Sequence, residues 1–535
     1  MKSKRLYLSC MTLLLVLQVI TVLWFCGQKQ GFHYDEYYSY YSSNVTYALV
    51  PTDMEWKDVS EIRSEFMAME GEGPGFGMVK LMQSLDVHPP LYYYVLRIVC
   101  WLSRGVFSKW QGLAVNIVFF VLSWLILAKT TKEITSDDKK KIIAVCALYG
   151  FSPAIFSGIM FIRMYMMLTF ICLLILYIHI RAIMRQERTI KGFYIPVCLL
   201  SFVGFYIHYY FAVFLFFLAA VTSIRLFIQK GSRKESFLYA GSVLTGLAVS
   251  VLVYPACLKH IFRGYRGTEA QEAFFDLGNI GQRFSFFFDL TNEYVFGNML
   301  VVLLLCLILL GLTIHVKTRM AGYGTPVSVK EKTPYKQAII LMLWVAFGYF
   351  MVVAKTALLN AEEAIRYEMP VYGLFFVLVI AGLGDWLATL ENERNKKALG
   401  TVFAGLILLT LAGEVLGLMS GKVCFLYPDD KEGITWASEH RDDAIAYIYN
   451  PANKWMIWDE SGELMQYEEI YFVSSEHETV EADERLSEED IVYVYAMHGE
   501  NEYNTMRSLA EENGGFNEPE LVRELLYCDL YKLSR

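Results

Sequence analysis

Ten apolar runs dominate this chain, at 6–26, 111–128, 142–158, 165–181, 209–228, 237–257, 298–316, 337–354, 371–389 and 398–418. Runs of roughly 18–20 residues are long enough to cross the ~30 Å hydrocarbon layer as helices. Inside lipid, only a helix or a closed barrel satisfies its own backbone. With 55% hydrophobic and 19% charged residues over 535 positions, and a mean hydropathy of +0.36, the chain is too apolar for a set of water-exposed domains. The expected fold is therefore an α-helical polytopic membrane protein.

The first run follows Lys2, Lys4 and Arg5 and lacks a small-x-small cleavage site, so it reads as an uncleaved anchor with a cytoplasmic N-terminus. The ten cysteines are scattered, mostly within spans, and no C-x-x-C or His-rich cluster suggests zinc. Cys424 and Cys528 flank the tail and could pair in an oxidising space. Charge is split along the chain: residues 420–535 hold 27 Asp/Glu against 9 Lys/Arg, the remainder 28 against 38. An acidic, water-soluble segment follows a basic membrane body, and neither reads as a nucleic-acid binder. In that tail, Ala444–Tyr449, Glu469–Val473 and Asp490–Tyr495 read as strands, and Asn504–Asn513 and Pro519–Leu526 as helices. The expected domains are thus a membrane domain over 1–420, with 27–88 as its first outer loop, and a small extracytoplasmic α/β domain over 421–535.

Basic loops stay cytoplasmic, which orients the helices. The candidates are Lys129–Lys141, Arg181–Lys191, Gln229–Lys234, Lys317–Lys336 and Glu391–Lys397. Parity then requires 90–107, interrupted by Arg97 and Arg104, to dip into the outer leaflet without crossing. With 193–207 as a short span, about eleven crossings place the C-terminal domain outside. Acids, histidines and arginines consequently collect on the outer side.

Five outer features carry chemistry. Asp35-Glu36 lies among aromatic rings just after the first span, where a carboxylate could take a proton from an attacking hydroxyl, or could merely cap a helix. Asp86-Val-His88-Pro-Pro places His88 at a helix mouth, able to donate to a phosphate oxygen, although Pro-Pro is also a plain helix-start device. Arg163-Met-Tyr165 occupies a short turn, where a guanidinium takes a lipid phosphate or snorkels to headgroups. Arg366-Tyr367 has the same two readings, with Glu362 and Glu363 near enough to pair with it. His208-Tyr209-Tyr210 tops a helical hairpin, where a lone histidine is more often a satisfied interfacial residue. The tyrosine-rich stretches read as an interfacial aromatic belt, and Asn44-Val-Thr46 fits an N-glycosylation sequon.

Together, the Asp-Glu pair, His-Pro-Pro-Leu-Tyr-Tyr, Arg-Met-Tyr, His-Tyr and Arg-Tyr-x-x-Pro (Arg366 to Pro370) resemble the integral-membrane GT-C glycosyltransferases. The nearest branch is the bacterial protein-mannosyltransferase-like and aminoarabinose-transferase-like group, over roughly residues 1–420. The resemblance implies about 11–13 transmembrane helices in the plasma membrane. It also implies a polyprenyl-phosphate sugar donor and inverting transfer on the extracytoplasmic face to a protein, lipid or cell-wall polymer. By it, Asp35 takes the catalytic acid position with Glu36 beside it. Asp86, His88, Arg163, Tyr165, His208, Tyr209, Arg366 and Tyr367 would serve the donor and its phosphate. Phe161 stands where many relatives carry Glu, which removes one metal ligand and leaves a divalent metal open as a cofactor.

Two other classes compete. A transporter or flippase would line a path with charges near the bilayer midplane and commonly shows matching halves, which this sequence lacks. A scaffold would use the acidic outer domain to bind a partner.

Overall fold

The computed structural model describes residues 2–45, 52–229, 231–320, 333–388, 390, 392–477 and 479–535; Thr46 of the sequon and most of the Lys317–Lys336 loop lie outside them. Among these residues, eight helices are long and apolar enough to span a membrane, or up to ten if each of two bent pairs is one span. The straight ones are Lys4–Gln28, Lys109–Ile134, Tyr165–Arg185, Tyr210–Ile228, Arg233–Val253, Thr333–Thr356, Ala361–Ala388 and Glu393–Met419. Two shorter apolar helices accompany them, Leu91–Leu102 and Ile190–Phe205. The first, 12 residues long, reaches only about 18 Å at 1.5 Å per residue. That is short of the hydrocarbon thickness, as expected for a segment that does not cross.

Both bends have local causes. Lys139–Phe151 and Pro153–Met160 meet at 51°. Pro153 cannot donate to the helix ladder and pushes Ser152 into an extended conformation (φ −66°, ψ 124°). Ser152 Oγ donates to the Tyr294 carbonyl at 3.0 Å, which covers a backbone group beside the break. Leu277–Val295 and Leu300–Thr313 meet at 100°. Gly297 (φ 51°) and Asn298 (φ 68°) are left-handed at this corner. A Cβ at Gly297 would lie 2.6 Å from the Gly413 backbone, so the close approach of the two chains admits only glycine there.

The chain forms two compact units. One comprises Met1–Cys26, Met82–Tyr92 and Leu113–Cys424, and holds the apolar helices around a few satisfied polar groups. Gln18 donates to the carbonyls of Cys146 (3.0 Å) and Ala147 (3.3 Å) and accepts from Trp124 Nε1 (2.9 Å), so its amide pins three helices without an orphaned polar atom.

The other unit comprises Gly27–Leu81, Tyr93–Gly112 and Phe425–Arg535. Its six strands are β1 (Glu55–Asp58), β2 (Ala444–Tyr449), β3 (Glu469–Ser474), β4 (Ile491–Met497), β5 (Glu520–Glu524) and β6 (Cys528–Ser534). The sheet order is β1-β3-β2-β4-β6-β5. β3, β2 and β4 are parallel, while β1, β6 and β5 join antiparallel. Both faces of the central strands are covered, by clusters including Tyr447, Phe472 and Tyr495 on one side and Ile448, Val494 and Leu509 on the other. Burial on two faces explains the nearly continuous apolar sequence of β2 and β4.

Several expectations are corrected here. The first outer loop belongs to the same unit as the C-terminal segment and gives its sheet an edge strand. Glu520–Glu524, expected to be helical, is a strand because it pairs with β6. The tyrosines of the first loop are not a lipid-facing belt: Tyr37, Tyr40 and Tyr41 are buried, and Tyr38 and Tyr41 pack on Trp458 at 5.6 and 4.5 Å. Asn44 is no open glycan acceptor, since its amide donates to the carbonyls of Tyr40 and Phe66 and accepts from Arg97. Cys424 and Cys528 are free thiols.

Burial in this unit also sets a pH response. Burial raises the Glu65 carboxyl to about 7, although Trp458 Nε1, donating at 3.3 Å, and the Lys57 charge pull it back. An acid with a raised folded pKa stabilises below its unfolded value, near 4.5, and that contribution is lost as pH rises to about 7. Glu65→Gln should therefore raise the melting temperature at pH 7.5 and flatten its dependence between pH 4.5 and 7. An unchanged pH profile by scanning fluorimetry would contradict this origin.

Candidate active site

The donor-side residues expected from sequence converge within the membrane unit, and local structure explains how. Asn116 Nδ2, on helix Lys109–Ile134, donates to the carbonyls of Ile159 (3.0 Å) and Phe161 (2.7 Å). This clamps the turn between Met160 and Tyr165 and turns Arg163 inward, 2% exposed, which excludes headgroup snorkelling. Pro89 and Pro90 end the preceding loop, and His88 stands there with Nδ1 2.8 Å from Asp86 Oδ2. His88 Nε2 faces Arg163 Nη2 at 3.4 Å. The network assigns the Nδ1 proton toward Asp86, so that Nε2 accepts from Arg163.

Rings extend the cluster. His208 lies 6.0 Å from His88 and 5.5 Å from Tyr165, and Tyr165 lies 5.8 Å from Tyr367. The Arg366 guanidinium, 3% exposed, stacks at 4.9 Å on both Phe161 and Tyr367, and pairs with Glu363 at 3.3 Å. Phe161, where an acid was expected by analogy, is therefore a platform for a cation. Charge follows position. Burial works to raise Asp86, but the hydrogen bond and charge of His88, with Arg163, outweigh it and hold the carboxyl below its usual range. Burial first, then His88 and Arg163, push His208 well below the usual imidazole value, so it is neutral at pH 7. The cluster is an ionised acid, an acid-backed histidine and two buried arginines, a donor set suited to an oxyanion.

Tyr209 points elsewhere in this network, and its partner escaped sequence reasoning. Its hydroxyl lies 2.8 Å from His260 Nδ1, His260 Nε2 lies 3.3 Å from the Ser84 carbonyl, and Tyr254 donates to the His88 carbonyl at 3.4 Å. His260 thus ties the loop carrying Asp86 and His88 to the Tyr209 turn. No motif surrounds it; only its place in an outer loop could have drawn notice.

Asp35 and Glu36 lie in the other unit, on helix Tyr34–Asn44. They separate into two roles. Glu36 is wholly buried: Lys29 Nζ donates to it at 2.8 Å, and it accepts the His33 N–H at 2.7 Å, while His33 Nδ1 accepts from Asp35 N–H. This is a capping box around a buried ion pair, so Glu36 holds the loop rather than meeting substrate. Asp35, its side chain a quarter exposed, sits in the first helical turn with Oδ2 3.8 Å from His33 Nδ1. Removing one member of a buried pair costs about 3–5 kcal/mol. Glu36→Ala should lower stability by that much, and Lys29→Met/Glu36→Leu should recover most of it. Melting curves within about 1 kcal/mol of wild type for Glu36→Ala would refute this role.

Arg97, read as an interruption, is saturated by Glu72 (2.9 Å), Asn44 (3.2 Å) and the carbonyls of Gly73 and Pro74 (both 3.0 Å). It pins the loop in place. Among the described residues no three His, Cys, Asp or Glu groups come together to hold a metal ion. With Asp86 already engaged by His88, the site does not fit a divalent cation.

The structure resembles the crystal structure of ArnT from Cupriavidus metallidurans bound to undecaprenyl phosphate, with a TM-score of 0.50, 9% identity and coverage of 98% of this chain and 97% of that one. The fold is GT-C. The apo form of the same ArnT matches with a TM-score of 0.48 and 8% identity, over 92% of this chain and 96% of that one. No protein-family model matches the sequence, and no curated protein is similar to it.

Proposed function

We propose that this protein is an inverting glycosyltransferase that moves a sugar from a polyprenyl-phosphate donor to an acceptor hydroxyl on the extracytoplasmic face. The observation that carries this is the Asp86–His88–Arg163–Arg366 cluster, its two arginines buried, in a GT-C fold whose solved counterpart binds undecaprenyl phosphate. In this reading the donor phosphate meets Arg163, Arg366 and His88. The acceptor oxygen attacks the anomeric carbon from the opposite face, and its proton passes to Asp35. The carbon–phosphate oxygen bond breaks as the new glycosidic bond forms, and polyprenyl phosphate leaves with its charge offset by the cations. Asp86 keeps His88 oriented. His208, neutral, lends a wall without adding charge.

Outward orientation follows from loop charge, and it has its own test. Glu481 is exposed, so Glu481→Cys should react with a membrane-impermeant maleimide on intact cells. Labelling only after the cells are broken open would reverse the topology. The function itself is tested by release of polyprenyl phosphate coupled to appearance of an inverted glycoside.

A further inference from the structure

The unit that contains the first outer loop and the C-terminal domain has a half-open cleft of about 510 Å³ that no step above uses. Small-molecule sites commonly occupy about 300–1,000 Å³. Three rings form one wall: Phe107 stacks on Phe32 at 5.2 Å and on Tyr37 at 6.1 Å, each at 27°. Polar groups share the lining and are held in place. Gln466 Nε2 donates to the Gly462 carbonyl at 2.9 Å, which fixes the direction of its amide, and the Arg63 guanidinium donates to the Met465 carbonyl. Gln30 completes the polar rim.

We propose that this cavity binds a saccharide unit of the acceptor. A pyranose has an apolar C–H face and a rim of hydroxyls. The half-buried Phe32 and Phe107 rings suit the first, and an oriented amide and guanidinium suit the second. An acyl chain would cover the arginine and both glutamines without offering them a hydrogen bond, at a cost in free energy. Position favours the same reading, because Tyr37 lies two residues after Asp35 on one helix. The cavity is thus bounded by the element that carries the proposed base. The assignment rests on the transferase reading for its role as acceptor, but the binding chemistry stands apart from it.

The test uses the full chain in lipid nanodiscs on an array of neutral, amino and uronic disaccharides, with binding of undecaprenyl phosphate measured in the same preparations. At least one disaccharide class should be captured. Arg63→Met should weaken capture by about tenfold or more, and Ser60→Trp, entering from the exposed rim, should abolish it. Undecaprenyl phosphate affinity should be unchanged in both variants. Should Ser60→Trp fail to fold, Arg63→Met and Gln466→Ala carry the test. Capture of no disaccharide, or capture indifferent to these variants, would overturn the proposal. Loss of undecaprenyl phosphate binding with saccharide capture intact would sink the transferase reading and leave this one standing.

Discussion

Asp35→Asn should slow sugar transfer by about 10²–10⁴-fold, the usual worth of a positioned general base, with donor affinity and folding retained. The substitution keeps the shape of the side chain and the Asp35 N–H that His33 Nδ1 accepts. Only the capacity to take a proton disappears, together with a small interaction with the helix dipole of about 0.3–1 kcal/mol. Glu36 provides the contrast within one dipeptide, because its replacement strikes stability through Lys29 and leaves the chemical step alone. The two variants should thus separate cleanly, Asp35→Asn in kcat and Glu36→Ala in melting temperature. An Asp35→Asn enzyme with wild-type kcat in proteoliposomes would remove the base from the mechanism.

Truncating either buried arginine should weaken donor binding by about 10–100-fold, the worth of a charge-assisted contact. The pair should show less than additive effects, since both act on one anion. Arg366→Lys is expected to rescue poorly. A compact ammonium cannot stack between Phe161 and Tyr367, each 4.9 Å from the guanidinium, nor keep its planar fork. Arg163→Ala also releases His88 from its 3.4 Å contact, so it should loosen the loop that carries Asp86 as well. Equilibrium binding of undecaprenyl phosphate decides it, and affinities within twofold of wild type for both alanine variants would contradict the phosphate site.

Much of the fold was legible because hydropathy reports length directly. Each of the ten apolar runs falls on a helix, and the short segment after Pro90 was read as too interrupted to cross. Hydropathy is blind to direction, however. The run 142–158 passes straight through the Ser152–Pro153 bend, which depends on one proline and on the Tyr294 carbonyl, 142 residues away. Composition misled where one residue type serves two environments: the tyrosines at 37, 40 and 41 would suit an interface equally well, but pack within their own unit. β1 has only four residues and no apolar alternation, so nothing local reveals that it pairs with β3. Glu520–Glu524 supports either periodicity, and its pairing with β6 decides it.

At the site, charges in short turns between apolar helices were visible as anomalies, and Asp86, His88, Arg163, His208 and Arg366 do lie in one network. What remained hidden was division of labour. Adjacent acids at 35 and 36 look alike until Lys29 is seen to bury with one of them. Phe161 looked like a lost ligand until the Arg366 guanidinium was found over its ring. His260 and Asn116 act through long-range contacts with carbonyls, which leave no trace in local pattern.

The most direct measurement follows a labelled sugar on undecaprenyl phosphate in proteoliposomes holding the purified protein and an acceptor glycan. The account predicts that the sugar–phosphate bond breaks, that the label appears on the acceptor with inverted configuration, and that nucleotide sugars give no transfer. Movement of intact lipid-linked sugar from one leaflet to the other, with that bond unbroken, would contradict it and make this protein a flippase.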